Sequence, residues 1–181
     1  MGTGKIFICD KCGHEVHASW GAGFLFPQVY IDTIRQIKEG KHGPLIKSFI
    51  EEHPDGAVNA ETTLARCDEC GHYENVQDLT MYIPQNGYKR VVDPERIWST
   101  SAYFKGADYI ARYELEDHYI EYKKYPHKCK CCNGNMSIIP LTSYSADSTG
   151  RDVDEIDSEI KEIECPVCGE KMIVMSFINW D

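Results

Sequence analysis

Apolar and polar side chains alternate in KIFIC (5–9) and in HEVHAS (14–19), which predicts two strands on either side of a turn. The same strand, turn, strand order recurs around HYENVQDLTMYI (72–83) and in the C-terminal IKEIECPVCGEKMIVMSFINWD (160–181). Between these runs the period changes. Val29, Ile31, Ile34 and Ile37, then Leu45, Ile46, Phe49 and Ile50, fall at helical spacings. Pro27 can open the first helix and Gly40 close it, while Pro44 opens the second and Pro54 follows it, so two amphipathic helices are expected at about 27–54. From 83 to 125 the apolar content is largely aromatic, with Tyr88, Trp98, Tyr103, Phe104, Tyr109, Tyr113, Tyr119, Tyr122 and Tyr125. Rings of that size must be buried against another part of the chain. Within this segment Asp93-Pro94 suits a turn or short helix, and HYIEYKKY (118–125) alternates as a strand. The polar stretch that follows has few residues able to bury area, so an exposed acidic loop is expected at about 142–159.

The turns carry the chemistry. Eight of the nine cysteines form four pairs with two residues between partners: Cys9/Cys12, Cys67/Cys70, Cys129/Cys132 and Cys165/Cys168. Three pairs run directly into glycine (Gly13, Gly71, Gly169), where positive φ can aim backbone N–H groups at a thiolate. The third pair is chosen as Cys129/Cys132 because Cys132 keeps the spacing and precedes the turn-forming Asn133-Gly134, which leaves Cys131 as the odd thiol. Each such turn presents two sulfurs on one side, so two turns complete a tetrahedral four-sulfur site and four turns make two. A disulfide framework is the competing reading, but it belongs to small secreted domains. Sequential pairing would group Cys9, Cys12, Cys67 and Cys70, then Cys129, Cys132, Cys165 and Cys168. Closure entropy favours that order only weakly, so a crossed pairing stays open. The 54 residues between Cys12 and Cys67 must in either case hold a structured insertion.

The CxxCG and CPxCG turns, each followed by a β-like run, resemble the zinc-ribbon class of metal-bound β modules. The resemblance covers the neighbourhoods of the four turns, with no characterised family over the intervening chain. It implies two Zn²⁺ ions in structural Cys₄ sites, and with the helical insertion the expected fold is α+β. Two ribbon-like modules are expected, at 1–82 with the two-helix insertion and at 118–181 with the acidic loop, joined by the aromatic-rich segment 83–117. CKCC and CPVCG, with 32 residues between them, also resemble the paired turns of rubredoxin-type proteins, which implies iron and electron transfer as the alternative.

Length and charge narrow the function classes. A chain of 181 residues with 42% hydrophobic side chains can build a real core in one or two domains. Its formal net charge of -10 disfavours coating a nucleic-acid backbone by bulk charge. Residues 1–80 carry 7 basic and 12 acidic groups, 81–141 carry 9 and 7, and 142–181 carry 3 and 10, so only the middle is basic. Its densest run is Lys123, Lys124, Lys128 and Lys130 among Tyr122, Tyr125 and His127, a composition that can grip phosphates and stack bases or simply protect a strand edge. A protein partner is favoured over nucleic acid. No apolar run is long enough for a membrane helix and the N-terminal residues lack a secretory apolar stretch, so a cytoplasmic protein with no membrane partner is expected.

Catalytic motifs are absent. HExxH does not occur, and the ExxH at Glu39 to His42 spans Gly40 at an expected helix end. Saturated Cys₄ sites leave no open metal position for hydrolysis. His14, His17, His72 and His127 lie near the turns and are expected around the sites rather than in them. Cys131 is a candidate reactive thiol if nearby lysines and a metal lower its pKa, with a buried small hydrophobe or a ligand alternating with Cys132 as the other readings. The sequence therefore points to a non-catalytic binding or regulatory protein.

Overall fold

The computed structural model describes residues 2–97, 104–140 and 163–180, with backbone alone for 178–180. The acidic loop expected at about 142–159 lies outside the described residues, as do Trp98 and Tyr103. In chain order the elements are β1 (Gly2–Ile8), β2 (Glu15–Trp20), α1 (Phe26–Lys38), α2 (Pro44–Glu52), β3 (Ala57–Val58), β4 (Thr62–Cys67) and β5 (Tyr73–Gln77). They continue with β6 (Met81–Pro84), α3 (Arg112–His118), β7 (Tyr119–Lys123), β8 (Met136–Ile138), β9 (Ile163–Glu164) and β10 (Lys171–Trp180). The fold is mixed α+β, and no helix among the described residues is long and apolar enough to cross a membrane.

Both inserted helices form where proline and glycine mark them. Each has proline in its first turn, where the missing N–H costs nothing, and Gly40 ends the α1 segment in the left-handed region at φ 80°. The buried face of α1 differs from the one the aliphatic pattern suggests. Phe26, Tyr30, Thr33 and Ile37 face inward, while Val29 and Ile31 are exposed. Tyr30 and Thr33 are polar by type, yet they share a face with Phe26 and Ile37, and Thr33 satisfies its hydroxyl on the Val29 carbonyl and the Gln77 amide.

The run at 72–83 is two strands. The carboxylate of Asp78 accepts the Thr80 N–H and Leu79 turns through φ 57°, so β5 and β6 enter different sheets. Helix α3 went unread because RYELEDH buries only Leu115. It is fixed by Glu114, which accepts from the Ala111 N–H at 3.0 Å and from Arg96 at 2.6 Å. Of the aromatic middle, Phe104, Tyr109 and Tyr119 are buried, whereas Tyr113 and Tyr122 stand about half exposed. Tyr109, Ile110, Leu115 and Tyr119 pack with Phe26 and Tyr30 on one side of α1, and the Arg96 guanidinium lies 3.9 Å from the Tyr109 ring centre.

Three antiparallel sheets result, ordered β2-β1-β10-β9, β5-β4-β8 and β3-β6-β7. In the first, β10 returns beside β1 with Gly2 opposite Trp180 and Ile8 opposite Ile173, interrupted by one bulge after Ile6. In the second, β8 pairs with β4, placing Met136 opposite Cys67. The ladders therefore join the two ends of the chain and cross the expected division into 1–82 and 118–181. The first two sheets share a core of Phe7, Val16, Trp20, Ile163 and Met172 against Leu64 and Tyr73.

A separate cluster of Ile37, Ile46, Phe49, Val58, Leu79 and Met81 lies under α2 and contains no cysteine. Ile46 is 0% exposed there. Ile46→Ala is expected to lower unfolding free energy by about 3 kcal/mol through lost burial and a residual cavity. Denaturant titration read beside the metal-to-chain ratio checks this, the ratio staying at the wild-type value.

Candidate metal centres

All four CxxC turns have one backbone design. The residue four positions after the first cysteine donates its N–H to that cysteine's carbonyl: Gly13 to Cys9 (2.8 Å), Gly71 to Cys67 (3.1 Å), Asn133 to Cys129 (2.9 Å) and Gly169 to Cys165 (2.9 Å). The first cysteine's own N–H donates to the carbonyl one residue further on, at His14, His72, Gly134 and Glu170. The donating residue takes positive φ in every case, 71°, 72°, 60° and 74°. Asparagine is the non-glycine residue that adopts this region most readily, which is why CKCCN can follow the glycine-bearing turns. The register selects Cys132 and leaves out Cys131.

The turns bring eight sulfurs together in two groups: Cys9, Cys12, Cys165 and Cys168, and Cys67, Cys70, Cys129 and Cys132. Within each group every ligand atom lies within 4.8 Å of the others. The sequential pairing is thereby corrected to a nested one, first turn with fourth and second with third. The physical cause is strand pairing, since β1 against β10 carries the outer turns together and β4 against β8 the inner ones. Close sulfur pairs are Cys9 to Cys168 at 3.5 Å, Cys12 to Cys165 at 3.5 Å, Cys67 to Cys132 at 3.4 Å and Cys70 to Cys129 at 3.7 Å. Four sulfurs at about 2.3 Å from a tetrahedral metal would stand about 3.8 Å apart, so either group could hold one metal ion. All nine cysteines are free thiols, which removes the disulfide framework.

Charge favours the same occupant. Cys67 is held down to about 7 by the Cys70 N–H, with desolvation opposing and the Glu69 N–H adding to it. Cys165, which desolvation would raise, is held to about 7 by the N–H groups of Val167 and Cys168. Their neighbours go the other way. Cys132 is pushed up to about 12, the downward pull of the backbone at Gly134 being outweighed by the sulfurs of Cys67 and Cys70. Cys12 also rises to about 12, against the backbone at His14, through desolvation and the sulfur of Cys165. Once one thiolate forms, the others resist ionisation unless a cation joins them.

Side chains around the groups tie the turns together. Lys11 in the first turn meets Glu170 beside the fourth at 2.8 Å, and Lys130 in the third meets Glu74 just past the second. Arg66 on β4 reaches Glu164 on β9 at 3.1 Å, linking the strands that enter the second and fourth turns. Sequence reading missed Glu74, Glu164 and Glu170, although lysines inside two of the turns were a signal that carboxylates stood nearby. Among the described residues no histidine joins either sulfur group. His127 is buried with Nε2 at 2.9 Å from the Asp78 carbonyl, while His14 and His72 contribute carbonyls to the turns.

Cys131 is exposed and donates its backbone N–H to the Cys129 sulfur at 3.4 Å. Desolvation and the charge of Cys129 raise its thiol pKa. Of the four lysines of the basic run, Lys130 is bound to Glu74 and Lys128 to Asn135, whereas Lys123 and Lys124 stand exposed. Comparison with protein-family models, curated proteins and solved structures gave no match to this chain.

Proposed function

We propose that each sulfur group binds one Zn²⁺ as a closed structural site, in the manner of zinc ribbons, and that the chain is a non-catalytic binding or regulatory protein. The observation that supports this most is the recurrence of one turn geometry at four places, with the sulfurs gathered at tetrahedral separations. Four thiolates leave zinc no open position for water or substrate, which argues against hydrolysis. Elemental analysis with an absorption spectrum tests the metal. The expected result is colourless protein with two zinc ions per chain, and a red protein with thiolate-to-iron absorption would mean electron transfer instead.

The contact surface proposed for a protein partner is the outer face of β7. Tyr122 is 50% exposed, yet its ring is braced on Phe49 and His53, at 5.4 and 5.0 Å between ring centres. Ile120 lies exposed on the same strand, with Lys123 and Lys124 beside Tyr122. A rigid aromatic flanked by lysines suits an acidic protein surface. With two lysines of the run already engaged, duplex DNA is expected to bind no tighter than about 10⁻⁴ M at physiological salt. Fluorescence anisotropy with a labelled duplex checks this, and micromolar binding that weakens steeply with salt would favour nucleic acid.

A further inference from the structure

Away from the sulfur groups, a cleft of about 1020 Å³ opens between α1, the chain after α2 and residues 89–90 and 108–110. That volume is at the upper end for a small-molecule site. Its accessible apolar surface comes from Ile31, Ile34 and Ile50. Four cations line it, Arg35, Lys38, Lys89 and Arg90, against two carboxylates, Asp55 and Asp108, a local positive balance in a chain of net charge -10. Arg90 is bound to Asp108 and Arg35 to Asp32, but among the described residues Lys38 and Lys89 have no ion pair.

Two buried tyrosines complete the wall. Tyr30 is 6% exposed and Tyr119 4%, both line the cleft, and their hydroxyl oxygens, bonded to no other described residue, are not among the buried unpartnered atoms and so open into it. Hydroxyls that open into a cleft in this way are free to bond water or a ligand's oxygens. Desolvation raises the pKa of both phenols, so each stays a donor near neutral pH. Two donors and two unpaired ammonium groups around an apolar surface are complementary to an oxyanion head carried on an apolar body.

We propose that this cleft binds a small organic anion, its phosphate, sulfonate or carboxylate head received by Tyr30, Tyr119, Lys38 and Lys89 and its apolar part lying on Ile31, Ile34 and Ile50. The site is independent of the metal centres, and its test is read separately from metal content.

Two fluorescent probes of similar shape test it, anilinonaphthalene sulfonate as the anion and N-phenylnaphthylamine as the neutral control, titrated into the metal-loaded full chain. The native protein should bind the anion at one site. In Lys38→Glu/Lys89→Glu its affinity should fall by more than about tenfold, since two charges are reversed at the rim. In Tyr30→Phe/Tyr119→Phe it should fall by roughly tenfold through loss of two charge-assisted hydrogen bonds. The neutral probe should change by less than about twofold in both variants, because the apolar surface is untouched. The phenylalanine pair keeps ring packing and so serves if the charge reversals disturb folding. Absence of anion binding by the native protein, unchanged affinity in both variants, or equal loss for both probes would overturn the proposal.

Discussion

Stripping metal from the folded chain with a strong chelator is expected to unfold the sheets that carry the cysteine turns while the helical half stays ordered. The apolar clusters divide in that way. Cys9 and Cys165 belong to the core of Phe7, Val16, Trp20 and Met172, and Cys67 and Cys129 to that of Ala65 and Met136. The clusters built on α1, α2, β6 and α3 contain no cysteine. Structural zinc contributes on the order of 10 kcal/mol or more per site, comparable to the whole stability of an ordinary domain. Short strands such as β8 and β9, of three and two residues, cannot hold the turns by pairing alone. Hydrogen exchange before and after chelation should show β1, β2, β4 and β5 losing protection, with α1, α2 and β6 retaining it. Uniform protection in the stripped protein would mean that the sulfur groups are not needed for folding.

The second large effect is expected from single ligands. Cys67 is 0% exposed and packs with Ala65, Cys129 and Met136, so Cys67→Ser removes a thiolate and places a hydroxyl in an apolar contact. Its site should empty, the metal ratio should fall from two to one, and stability should drop by several kcal/mol as that site's share of the binding energy is lost. Cys131→Ser is the matched control one residue from a ligand. It should leave the ratio at two and change stability by less than about 0.5 kcal/mol, as an exposed substitution does. If the two variants behaved alike, Cys131 and Cys132 would be trading places and the register set by Asn133 would be wrong.

Proline and glycine made the helical insertion legible, because Pro27, Gly40, Pro44 and Pro54 act locally wherever the chain folds. The CxxC spacing was local too, and with Asn133 in the place of glycine it separated Cys132 from Cys131. What decided the grouping of the sulfurs was not local. Closing a longer loop between Cys12 and Cys165 instead of between Cys12 and Cys67 costs only about 1 kcal/mol in chain entropy, which the β1–β10 ladder readily offsets. Nothing in the residues of one strand names its partner across such a distance. The same holds for α1, whose buried face was hidden because Tyr30 and Thr33 read as polar until Phe26 and Ile37 are seen beside them. Helix α3 was hidden because its order comes from Arg96 meeting Glu114, not from its own pattern. The cleft hydroxyls of Tyr30 and Tyr119 come from distant elements and leave no trace in sequence spacing.

The nested arrangement of the two candidate metal sites is tested most directly by the metal-to-chain ratio of two double variants. Cys9→Ser/Cys165→Ser removes two ligands from one group, and Cys9→Ser/Cys67→Ser removes one from each. Nesting predicts one metal per chain in the first and none in the second. The reverse, with none in the first and one in the second, would mean that the turns pair in sequence and that the sulfur groups described above are not the binding sites.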